Sequence, residues 1–137
     1  MTANPYERMR ENAVFTMPKE ELTLMLYDGG LKFCNQAIAA LEASDYPKTN
    51  ELLKKAQNII NEFQRTLDHS YEVSQYFDAM YGHMLARLVE ANIYKDADIV
   101  AEVRDLFREF RDMWKEAMLK AKRESAVKCE ASLSCAS

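Results

Sequence analysis

The chain has 137 residues, only 3 Gly and 3 Pro among them, and a formal net charge of −4. So few turn formers exclude an all-β protein, and an acidic balance argues against a surface built to hold nucleic-acid phosphates. What remains is rich in Ala, Leu, Glu, Lys, Met and Gln, so the composition predicts an all-α domain, long enough to bury a core without metal or disulfide.

Residues 1–17 read as a short N-terminal segment with a weak helical pattern from Tyr6 to Ala13. Pro18, followed by Lys19-Glu20-Glu21, suits the start of a first long helix. The stretch "LTLMLYDGGLKF" (Leu22 to Phe33) could be a β-hairpin turning at Asp28-Gly29-Gly30. Helical phase decides against it. At ~100° per residue, Leu22, Leu24, Leu26, Tyr27, Leu31, Phe33, Cys34, Ala37, Ile38 and Leu41 share an arc of about 200°. Gly30 lies inside that arc, which predicts close approach by a neighbouring backbone or side chain.

A break at Ser44-Asp45 precedes a second helix, Tyr46 to His69, whose apolar residues occupy about 120°. A third runs from Val73 to Asn92 with apolar and aromatic positions over roughly 220°. Lys95-Asp96 marks the next break. The fourth helix is predicted from Ala97 to Arg123, and residues 124–137 as a flexible tail. The architecture implied is an antiparallel up-down-up-down four-helix bundle over 18–123, with residues 1–17 as a helical cap segment.

Little catalytic chemistry is available to this sequence. A di-iron bundle needs Glu-x-x-His pairs, and the residues three before His69 and His83 are Thr66 and Met80. Two lone histidines make no zinc site, and no phosphate loop or nucleophile–base pair is present. No enzyme activity, metal or cofactor is therefore expected. Basic residues in "KEAMLKAKR" (Lys115 to Arg123) read as a helix C-terminus complementing its own dipole. There is no apolar run of ~18 residues and no charged-then-apolar leader, so neither a membrane span nor a secretory signal is expected. Cys34 reads as a small buried hydrophobe, and Cys129 and Cys135 show no zinc spacing. A reduced cytoplasmic setting fits them.

The second and fourth helices have the stripe a bundle needs, while the first and third exceed it by roughly 80–100°. The surplus could be buried beneath the N-terminal segment, buried in an obligate homodimer, or left as a groove for a partner helix. A weaker homodimer would also use it. Met and Tyr on the third helix suit an adaptable surface, although such a stripe is also ordinary core.

Five segments then carry a resemblance: "NPYERMRENAV", "PKEELTLMLYDGGLKF", "KAQNIINEFQRTLD", "RLVEANIYKDADIVAEV" and "FRDMWKEAM". Together, in this order, they resemble the flagellar export chaperone family FliS from Asn4 to about Lys122. The resemblance implies a cytoplasmic helical bundle that binds the disordered C-terminal segment of flagellin. It also implies that such a protein prevents premature polymerisation and aids delivery to a component of the flagellar type III export gate. An N-terminal segment in the family can cover part of the flagellin site, which makes Asn4, Pro5 and Tyr6 candidates for cover or gate contact. Met17 stands where the family often has Ser or Thr, weakening the N-cap expected before Pro18 by about 1 kcal/mol. Apolar excess and resemblance together nominate Leu24, Tyr27, Leu31, Ile38, Tyr76, Met80, Leu85 and Val89 as the flagellin-binding residues.

Overall fold

The computed structural model describes residues 19–136, with side chains described for 19–127. The 1–17 segment, with Asn4, Pro5 and Tyr6, lies outside the described residues, as do the side chains of Cys129 and Cys135. Four helices follow one another: α1 (Lys19–Glu42), α2 (Tyr46–Thr66), α3 (Ser74–Tyr94) and α4 (Ala97–Ala136). They stand in a ring, α1 against α2 and α4, and α3 against the same two. The expected four-helix bundle is therefore present, and "LTLMLYDGGLKF" is helix throughout.

Two of the three connections share one device, and neither uses glycine. Ser44 adopts a left-handed conformation (φ 57°), and the Asp45 N–H reaches back to the Ala40 carbonyl at 2.8 Å. Asp45 then caps α2, its side chain accepting a hydrogen bond from the Lys48 N–H at 3.2 Å. Lys95 (φ 52°) and Asp96 repeat the pattern between α3 and α4, with the Asp96 N–H bonded to the Ala91 carbonyl at 3.1 Å. These are Schellman-type endings that satisfy the last carbonyls of each helix. The α2–α3 connection is longer. Helix α2 ends at Thr66, before the expected His69, and Leu67 is already extended.

The expectation for the C-terminus needs correction. Helix α4 does not stop at Arg123 but continues to Ala136. Residues 119–127 are all exposed, so among the described residues no packed neighbour imposes the helix there. Their sequence, LKAKRESAV, contains no Gly or Pro and is rich in strong helix formers. The missing apolar period reports the lack of a packing partner, not a lack of helical backbone.

At the core, Phe107, Leu53, Ile60, Met84 and Leu88 are fully buried. Cys34 is buried as expected, and burial pushes its thiol up to about 12, opposed in part by Arg104. Gly30 sits against the Phe107 ring: a Cβ there would lie 2.6 Å from Cζ and nearer still to Cε1. The close approach expected from phase is that of a side chain on α4.

One end of the bundle is held by aromatic rings from all four helices. The Phe63 ring on α2 stacks on Tyr27 of α1 (centroids 4.4 Å apart) and on Tyr81 of α3 (5.5 Å), and Phe110 of α4 closes the group. The two phenols share a buried hydrogen bond of 2.9 Å across the bundle diagonal. Tyr81→Phe strands the Tyr27 hydroxyl and is expected to cost about 1–2 kcal/mol, whereas replacing both tyrosines with Phe should cost less than the two single changes added. Urea unfolding of the three variants measures that coupling.

The same pair sets an alkaline limit. Burial raises the Tyr27 phenol, with the Tyr81 hydrogen bond opposing, and burial together with the Tyr27 charge and hydrogen bond raises Tyr81. An acid whose folded pKa lies above its unfolded one stabilises fully below the unfolded value and loses that contribution as pH rises through the folded one. Stability should therefore be insensitive to these groups below about pH 10 and fall above it. Thermal melts between pH 8 and pH 11 (an interval chosen to bracket the ~10 of a free phenol) should show the fall, reduced in the Phe/Phe variant.

Candidate functional site

Helix α1 and helix α3 were both expected to carry surplus apolar surface, and the structure treats them differently. Helix α1 has the more extensive interfaces, with α2 on one flank and α4 on the other, and uses its wide arc to fill both. Tyr27 is core, while Leu31 and Ile38 are half-buried and packed on the core. Leu24 is half-buried as well. The α1–α4 flank is sealed further by Arg111 to Asp28 (3.3 Å) and Arg104 to Asn35 (3.4 Å). Such exposed pairs add little stability but leave no open groove.

Helix α3 packs less extensively, and one side of it faces solvent. Met80 and Leu85 are half-buried against the core, but Tyr76 is 53% and Val89 46% exposed. Ile93 (68%) and Tyr94 (70%) are more exposed still. Between them the outward positions are Ala79, Gly82 and Ala86, all exposed. At ~100° per residue, Ala79, Gly82, Ala86, Val89 and Ile93 form one stripe on the side away from the core. Beside this stripe, Arg87 bonds to Glu90 (2.6 Å) and to Glu102 of α4 (2.5 Å). The result is a narrow stripe, about four turns long, of low-relief surface with no charged member, flanked on one side by exposed His83 and by Glu90. Ile93 and Tyr94 lie beyond the expected end of this helix at Asn92, and the small residues escape a sequence reading because Ala and Gly carry little apolar signal.

A cavity of about 290 Å³ opens at the aromatic end of the bundle, beneath the α2–α3 connection. Its walls include Phe63, Phe77, Tyr81, Val73 and Trp114, with Lys19 at its edge. Trp114 is held there by donating its indole N–H to the Glu20 carbonyl at 2.8 Å. The cavity is apolar enough to take a bulky side chain.

The eight nominated residues thus do not form one groove. Helices α1 and α3 stand across the diagonal, and their backbones do not approach each other. Tyr76 and Val89 lie on open surface, Met80 and Leu85 at its edges, Tyr27 in the core with Leu31 and Ile38 packed on it, and Leu24 half-buried on the first turns of α1. Among the described residues no group of three or more His, Cys, Asp or Glu side chains could hold a metal ion. No helix among them is long and apolar enough to cross a membrane.

Gly82 offers a check on how open this surface is. A Cβ there would meet only the Gln64 side-chain nitrogen, at 4.0 Å. Gly82→Ala should therefore raise stability by about 0.5–1 kcal/mol, the ordinary gain for a helical glycine, read from the urea midpoint. A loss would mean that something already covers the position.

A family model for the flagellar protein FliS matches residues 2–121. The flagellar secretion chaperone FliS of Bacillus subtilis is 48% identical over 115 residues, 84% of this chain and 86% of that protein. Its namesake in Escherichia coli is 35% identical over 112 residues, 80% and 82% of the two chains. A flagellar secretion chaperone of Pseudomonas aeruginosa, FliSB, is 36% identical over 95 residues, 68% and 75%. An all-helical bundle, with one helix face left open and a match over most of its length, places this chain in the FliS family of flagellar proteins.

Proposed function

We propose that this protein is a cytoplasmic export chaperone that holds the disordered C-terminal region of flagellin. By occupying the helices flagellin would use for assembly, it keeps flagellin from polymerising early and aids its delivery to the flagellar type III export gate. The observation that carries this reading is the exposed stripe of Ala79, Gly82, Ala86, Val89 and Ile93 on the outer face of α3, with exposed Tyr76 and Tyr94 beyond His83 and Glu90. An amphipathic segment that is disordered alone can fold onto such a face. The names of the relatives as secretion chaperones support the same role. Binding residues are then Tyr76, Met80, Leu85 and Val89, with Leu24, Tyr27, Leu31 and Ile38 acting mainly by holding the bundle that presents them. Residues 1–17, through Asn4, Pro5 and Tyr6, serve as a removable cover or as the contact with the export gate. The role needs no catalytic group.

Calorimetric titration with a C-terminal flagellin peptide of roughly 40 residues tests it, a length able to bury the ~1,000–3,000 Å² typical of folding on binding. A one-to-one complex with a large negative ΔCp is expected. Absence of binding, with a mass that doubles as concentration rises, would instead assign the open face to a homodimer.

A further inference from the structure

Along the α3 side of α2, amide side chains recur every seven residues at Asn50, Gln57 and Gln64. Residues seven apart are two turns apart on one face, so the row spans ~21 Å. Both ends of the row are fixed against α3. Asn50 accepts a hydrogen bond from the Asn92 amide at 2.6 Å, and Gln64 lies beside Gly82. Gln57 falls midway by register, level with Leu85 and Val89.

All three amides are half-buried. Gln57 and Gln64 make no hydrogen bond among the described residues, and the Asn50 side-chain N–H group is equally unengaged. The facing positions on α3 are Gly82, Leu85, Ala86, Val89 and Ile93. Charges stand at the rim and ends, Lys54 on α2, Asp78 on α3 and Lys95, whose ammonium donates to the Asn92 side-chain carbonyl at 2.5 Å, while the amide row itself carries none. A charged helix laid here would lose its hydration beside groups that cannot neutralise it. A wholly apolar helix would cover three amides and leave them without partners, which is also costly.

We infer that the α2–α3 seam seats an uncharged amphipathic helix of the exported partner, one that interleaves Asn or Gln with small apolar residues. This rests on the flagellin reading and specifies where, and by what chemistry, that partner is held. Partner amides pair with Asn50, Gln57 and Gln64, while Gly82 and Ala86 let the two helix backbones come close.

The test titrates the full chain with the same C-terminal flagellin peptide, using Gly82→Leu, the Gln57→Ala/Gln64→Ala double variant, and peptides with each Asn or Gln changed to Ala. Gly82→Leu should weaken binding at least about tenfold with no fall in melting temperature, since space is open there in the free protein. The double variant should weaken it about fivefold, and at least one peptide substitution should then cost less than it costs against wild type. Unchanged affinity in both protein variants would overturn the seam as the seat while leaving the flagellin reading in place. Failure of the wild type to bind would overturn both.

Discussion

Gly30→Ala is expected to destabilise the protein by about 3 kcal/mol or more, although alanine is the better helix former by about 1 kcal/mol. The added methyl would overlap the Phe107 ring at Cε1, Cζ and Cδ1. That ring is fully buried and has no solvent side into which to turn. Moving it would disturb α4 against α1, the partners in one of the two most extensive interfaces. Urea unfolding checks the magnitude, and Phe107→Leu in the Gly30→Ala background should recover part of the loss by making room. A stabilised Gly30→Ala would mean that the two helices do not approach as closely as described. Gly82→Ala, with open space at the same atom, is expected to move the urea midpoint the opposite way.

Phe63→Ala carries the second large effect, a loss of about 3–5 kcal/mol. Phe63 is the ring through which α2 joins the aromatic end, stacked between Tyr27 and Tyr81. It also walls the cavity beneath the α2–α3 connection, so its removal enlarges an existing space instead of allowing collapse. The Tyr27 and Tyr81 hydroxyls would gain access to water, which limits the loss to the ring's packing and transfer. Thermal or urea melts give the value. Phe63→Leu should recover roughly half, because most of the apolar volume returns.

Helical phase made most of the fold legible. Gly30 inside an apolar arc pointed to a close neighbour, and Ser44-Asp45 and Lys95-Asp96 marked two connections within a residue or two. Phase gives the direction in which a side chain points, not whether another helix stands there. Leu31 and Val89 look alike in sequence, yet one packs against the core and the other faces solvent. That is why eight nominated residues divide between core and surface. Asn50, Gln57 and Gln64 were visible as a spacing of seven, but polar residues on a helix flank look like an ordinary solvated face until Asn92 and Gly82 are found across the seam. Helix α4 outruns the expected end at Arg123 because helix-forming composition sustains it where the apolar period stops.

Hydrogen–deuterium exchange of the full chain, with and without the C-terminal flagellin peptide, tests the central claim most directly. Helix α3 packs least extensively, so its amides should exchange readily in the free protein and have the most protection to gain. Slowed exchange concentrated in Ser74–Tyr94 and the facing side of α2 is expected on binding. Protection confined to the α1–α4 face, or none at saturating peptide, would contradict an open α3 face as the place where flagellin is held.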